Sequence, residues 1–132
     1  MPDTHTEALP AIAEIERVVQ SYLDGLHEGD AEKLAAAFHP CAHLYSAPAG
    51  QLTDLPRAAW LEMVQSRPSP KSLGLAREDR ILAIDLNGEE AACVKVSCCI
   101  PPRWFTDYLL LLKTGEGWRI VAKSFRTELR EA

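Results

Sequence analysis

The stretch that most constrains this chain is Trp104–Phe125, WFTDYLLLLKTGEGWRIVAKSF. Its apolar run, Tyr108–Leu112, is far shorter than the ~20 residues of a membrane-spanning helix. A polar turn with glycines at Thr114–Gly117 follows, and then alternating residues, so the stretch reads as a β-hairpin. Alternation places Phe105, Asp107, Leu109 and Leu111 on one face and Thr106, Tyr108, Leu110 and Leu112 on the other. Both faces are therefore largely apolar. A sheet packed on helices buries only one of them, so the second needs a cover of its own. That cover is either a second copy of the chain or a flap formed by the third helix or a long loop.

What precedes the hairpin supplies the helices. A first helix beginning near Pro10 sets Ile12, Ile15, Val19, Tyr22 and Leu26 on one stripe. Gly29 stops it, and Asp30 caps a short second helix over Ala31–Phe38, which Pro40 ends. Ala42–Ala47 reads as a strand and Gly50–Leu52 as a second short one. Thr53 or Asp54 then caps a third helix with Pro56 in its first turn and Trp60, Leu61 and Val64 on its buried side. The two prolines of Arg67-Pro-Ser-Pro70 make a loop. Arg80–Leu86 and Glu90–Ile100 are strands joined at Asn87-Gly88, a type I′ signal, and Pro101-Pro102 separates them from the main hairpin. Thr127–Ala132 reads as a polar tail. Helices followed by a meander of strands define an α+β class, with residues 1–8 a flexible arm and 9–132 one domain.

The chain has 132 residues, 47% of them hydrophobic and 25% charged, with a net charge of −5. This size suits one domain. The negative balance and scattered basic residues argue against nucleic-acid binding, and no stretch argues for a membrane. The polar, acidic start carries no secretory pattern, which implies the cytoplasm and free thiols at Cys41, Cys93, Cys98 and Cys99. With no C-x-x-C pair, no phosphate-cradling glycine loop and no nucleophile elbow, no cofactor is expected.

SYLDGLHEGDAEKLAAAFHPCAHLYS, a third helix and then DYLLLLKTGEGWRIVAKSF resemble, in that order, the nuclear transport factor two-like superfamily. Within it the chain is most similar to the putative lumazine-binding branch, near the ketosteroid-isomerase and polyketide-cyclase relatives. The resemblance spans roughly residues 10–126. It implies a cone-shaped, cystatin-like roll of three N-terminal helices on a curved antiparallel sheet. It also implies a pocket between helices and sheet and a homodimer through the outer sheet face.

Several residues are candidates for chemistry. Tyr22 stands where the resemblance puts an oxyanion-donating tyrosine; otherwise it is a core tyrosine bonded to backbone. Ser46 stands where isomerases carry their aspartate base, and an unassisted serine is too weak a base for that role. Asp107 is either a pocket acid among apolar neighbours or a solvated group paired with Arg103 or Arg126. His39, Cys41 and His43 form H-x-C-x-H, but no fourth ligand accompanies them, so no metal is expected. His43 is the preferred acid–base histidine, because relatives such as scytalone dehydratase use histidines with an aspartate. The thiols of Cys93 and Cys99 share a face with Lys95 and read as small buried groups.

The reading is a small-molecule binding protein for an apolar or planar heteroaromatic ligand. Tyr22, Phe38, Ser46, Trp60, Trp104, Phe105, Leu109 and Trp118 are the expected ligand contacts. The alternatives are an isomerase, dehydratase or cyclase using Tyr22 with Asp107 or a histidine, and an interaction domain without a pocket.

Overall fold

The computed structural model describes the backbone of residues 4–131 and the side chains from Leu9 to Glu131. Three helices, α1 (Thr4–Glu28), α2 (Ala31–Ala37) and α3 (Arg57–Ser66), pack on one sheet. The strands are β1 (Phe38–Ser46), β2 (Thr53–Pro56), β3 (Arg80–Asn87), β4 (Ala91–Ile100), β5 (Arg103–Thr114) and β6 (Gly117–Leu129). Their order across the six-stranded sheet is β2-β1-β6-β5-β4-β3. The α+β class stands, but the sheet is mixed rather than antiparallel throughout. The chain leaves β1 through β2 and α3 and returns through the β3–β6 meander, so β6 comes to lie parallel to β1.

α1 starts at Thr4, upstream of the expected Pro10, which lies inside the helix. Of the arm expected over residues 1–8, residues 1–3 lie outside the described residues. The stripe of α1 is buried at Ile15, Val19, Tyr22 and Leu26, as period 3.6 requires. Gly25 lets α2 approach closely, since a Cβ there would meet the Leu34 side chain at 3.0 Å. Gly29 turns the chain at φ +67°, and the Asp30 carboxylate accepts from the Glu32 and Lys33 amides at 3.0 and 3.2 Å.

Five boundaries differ from expectation around this frame. Phe38 opens β1 instead of closing α2, because its extended backbone already joins Ile120 of β6. The second short strand is Thr53–Pro56, and a 3-10 turn at Pro48–Gly50 precedes it. Thr53 and Asp54 thus belong to β2, and Pro56 occupies the cap position of α3 without a side-chain bond. Asn87 pairs with Ala91, so the β3–β4 loop is Gly88–Glu90 rather than a two-residue turn. The β6 strand runs on to Leu129, through part of the expected tail.

Candidate functional site

The inward face of the main hairpin carries a buried polar cluster. Val96↔Asp107 and Asp107↔Phe125 register puts Asp107 at the centre of the sheet, with Cys98 close by on β4. Asp107 is 0% exposed. Tyr22, reaching down from α1, donates its hydroxyl proton to Asp107 Oδ2 at 2.5 Å. The Cys98 thiol points at the same oxygen from 3.6 Å. Lys123 of β6 completes the cluster: Nζ donates to the Tyr22 hydroxyl at 2.8 Å and lies 3.7 Å from Asp107 Oδ2.

Lys123 faces inward because of a β-bulge. Leu110 pairs with Ala122 and Leu111 with Ile120, which leaves Val121 without a partner. Strict alternation after the buried Trp118 and Ile120 would send Lys123 outward. One extra residue reverses the phase. Its ammonium then sits among three aromatic faces, 4.7 Å from Phe125, 5.1 Å from Tyr22 and 5.4 Å from Trp60. These faces and the carboxylate together offset the loss of water around a buried cation.

Electrostatics fix the proton inventory. Burial, reinforced by the negative charge of Asp107, holds the Tyr22 phenol well above its ordinary value, so it stays protonated. The Cys98 thiol is also pushed up, mainly by burial and then by Asp107, and is no thiolate nucleophile. Asp107 Oδ1 is buried and has no hydrogen-bond partner.

Beside this cluster lies a cavity of about 590 Å³. Trp60, Phe105 and Phe125 give it aromatic walls, Leu44 and Ile100 aliphatic ones, and Lys123 its innermost charge. The loop after α3 closes one side through Pro68, Pro70, Leu73 and Leu75. That loop is tied down by the Lys71 amide on the His27 carbonyl at 3.0 Å and by Arg77, which reaches Asp24 at 2.6 Å and Asp79 at 2.8 Å. Arg67 and Arg103 also line the cavity. An apolar wall with a few charged groups is the usual make-up of a small-molecule pocket.

The structure brings together some of the residues expected from sequence and separates others. Trp60 and Phe105 line the cavity, while Tyr22 and Asp107 lie behind Lys123 and do not. Phe38, Leu109 and Trp118 are core residues, each 0% exposed and outside the lining. Trp104 lies outside the cavity, with the Arg130 guanidinium 4.9 Å above its ring. His43 is on the β1–β2 edge, bonded to Asp54 at 2.5 Å and stacked on Tyr45. Ser46 shares hydrogen bonds with Thr53 and lines a separate surface groove with Tyr45 and Arg126. Among the described residues, no group of three or more His, Cys, Asp or Glu side chains is placed to hold a metal. Lys123, Phe125, Arg67 and Arg103 are the charged and aromatic cavity residues that sequence reasoning missed, along with the aliphatic and proline wall. A lone lysine in the apolar run IVAKSF was the one available signal.

A roll of three helices on a six-stranded sheet, with a cavity between them, is the architecture of the nuclear transport factor two-like superfamily. The chain belongs to the family described as "Putative lumazine-binding", which it matches over residues 10–126. No curated protein matches it. Solved structures resemble it closely. A nuclear transport factor two-like protein of unknown function from Silicibacter pomeroyi is 23% identical, with a TM-score of 0.80, covering 92% of this chain and 98% of that one. A counterpart of unknown function from Shewanella baltica is 25% identical at the same TM-score, covering 92% and 97%. A ketosteroid isomerase-like protein from Erwinia carotovora atroseptica is 15% identical, with a TM-score of 0.68, covering 89% and 96%.

Proposed function

We propose that the protein binds a planar or hydrophobic heteroaromatic small molecule in the cavity between α3, the following loop and the sheet. The observation that carries this reading is the aromatic cavity with the Lys123 ammonium in its wall, held there by Tyr22 and Asp107. The family description supports a lumazine-like ligand class. In this reading Trp60, Phe105 and Phe125 stack on the ligand, and Lys123 meets its polar edge. Tyr22 and Asp107 act through Lys123: they hold its ammonium in place and do not touch the ligand.

Binding is favoured over isomerase chemistry for a geometric reason. A general base must reach the proton it removes, directly or through one water. Asp107 and His43 lie off the cavity wall, and the Tyr22 proton is already donated to Asp107. Lys123 is the titratable group that would have to serve if turnover were found.

The same reading includes a homodimer through the outer sheet face, where Tyr108, Leu110 and Leu112 are exposed. It also includes a cytoplasmic location, supported by four unpaired cysteines. Among the described residues, no helix is long and apolar enough to cross a membrane.

A thermal-shift panel of lumazines, flavins, steroids and aromatic polyketides tests the binding reading. A ligand at about 100 times its dissociation constant adds about 2.7 kcal/mol, which amounts to several degrees in a domain of this size. The expected result is a shift with a heteroaromatic ligand that Trp60→Ala abolishes. A shift that persists in Trp60→Ala would place binding elsewhere.

A further inference from the structure

The cavity is positively charged in a negatively charged protein. The chain carries a net charge of −5, yet the charged residues in the cavity wall are Arg67, Arg103 and Lys123, with no carboxylate among them. Lys123 has its counter-charge in Asp107, 3.7 Å away. The two arginines have none: among the described residues, neither forms an ion pair. Arg77 and Arg130, by contrast, are both paired with carboxylates.

The arginines come from separate parts of the chain. Arg67 ends α3 and Arg103 opens β5 after Pro101-Pro102, so the fold, rather than local sequence, sets them on one cavity. Burial lowers the Arg67 pKa, and the charge of Arg103 lowers it further. Arg67 is half-buried and Arg103 exposed, and the repulsion of two like charges near each other on an apolar rim costs free energy that an anion would recover. Guanidinium groups also offer forked donors suited to the oxygens of a carboxylate or sulfonate.

We propose that the ligand is an organic anion, with its aromatic body against Trp60, Phe105 and Phe125 and its charged group at the rim between Arg67 and Arg103. This rests on the reading of the cavity as a ligand site and adds the charge of what enters it. Lys123 contributes little net field, because Asp107 neutralises it at short range. The preference for an anion therefore resides in the two arginines.

Two dyes that share one aromatic body test this: anilinonaphthalene sulfonate, which is anionic, and phenylnaphthylamine, which is neutral. Fluorescence titration should show the sulfonate binding at least about ten-fold more tightly, equivalent to about 1.4 kcal/mol. Raising the salt should weaken that dye alone. In the Arg67→Gln/Arg103→Gln double variant the two affinities should converge through weaker binding of the sulfonate, while retained binding of the neutral dye reports an intact cavity. Equal binding of both dyes to the wild type overturns the inference and leaves the cavity a ligand site. A preference that survives in the double variant overturns it too, because the anion then sits elsewhere. If neither dye binds, the ligand-site reading fails and takes the inference with it.

Discussion

The two faces of the β5–β6 hairpin are built from nearly the same residues and live in opposite environments. On the inner face Asp107, Leu109 and Leu111 are 0%, 0% and 1% exposed; on the outer face Tyr108, Leu110 and Leu112 are 46%, 49% and 45% exposed. Hydrophobicity does not separate them, since the most deeply buried face holds the acid. What separates them is complementarity. The inner face has helices to cover its leucines, and Tyr22, Cys98 and Lys123 to meet its carboxylate. The outer face has apolar area and no covering element among the described residues. The inner face should therefore be intolerant of any change that leaves one polar member without its partner. The outer face should be indifferent within one chain and sensitive only to a second.

The largest break in that contrast is at Asp107. Asp107→Asn leaves Lys123 buried without a counter-charge, and losing one partner of a buried pair costs about 3–5 kcal/mol. Replacing both members, Asp107→Leu with Lys123→Met, removes the uncompensated charge. It should cost much less than the sum of the single changes, although the Tyr22 hydroxyl then loses both partners. Urea unfolding of the parent, Asp107→Leu, Lys123→Met and the double variant gives the coupling directly. Additive losses would mean that Asp107 and Lys123 do not act as a pair, and that the inner face is held by packing alone.

A smaller effect sharpens the same point at Tyr22. Its hydroxyl bridges Lys123 and Asp107, so Tyr22→Phe should cost about 1–3 kcal/mol near neutral pH. The pH dependence carries a definite sign. The folded phenol is held above its ordinary value and the unfolded one ionises near pH 10, so above that pH the unfolded chain binds fewer protons. Wild-type stability then falls by up to about 1.4 kcal/mol per pH unit from this group. Tyr22→Phe lacks this loss, so the gap between the two proteins should narrow as pH rises past about 10. Cys98, whose thiol is also pushed up by burial, adds alkaline lability of the same sign in both proteins. Parallel stability curves would show that Tyr22 is not held in its neutral form.

These residues also mark how far the sequence could be read. The hairpin, the helix stripes and the Asp30 cap follow from local rules, because turn chemistry and periodicity are properties of neighbouring residues. The site depends on what local rules cannot carry. Lys123 is turned inward by a bulge at Val121, and in IVAKSF nothing marks which residue goes unpaired. His43 alternates with the cavity-lining Leu44, and Ser46, two residues past Leu44, is tied to Thr53 of β2 instead. Arg67 and Arg103 meet only through the fold. Asp107 was legible as a candidate because it interrupts an apolar strand, but its partners come from three other elements. The cavity wall was legible where an aromatic residue stood in a helix or strand already facing inward, as at Trp60 and Phe105.

The smallest effect on folding is expected on the outer face, and it decides what that face is for. Leu110→Lys with Leu112→Lys adds two cations to positions already about half exposed, and exposed substitutions usually change monomer stability by no more than about 0.5 kcal/mol. Edge strands and open sheet faces tolerate lysine for this reason. If the face joins two copies, the same change sets four lysines across one interface. The repulsion and lost apolar contact should then split the dimer. Light scattering at micromolar concentration should report a dimer for the parent chain and a monomer for the variant, with dye binding in the cavity retained. A parent chain that is already monomeric would remove the dimer from the reading. Tyr108, Leu110 and Leu112 would then be an open apolar face, and the Lys95 ammonium 5.6 Å from the Tyr108 ring its only charged cover among the described cation–π contacts.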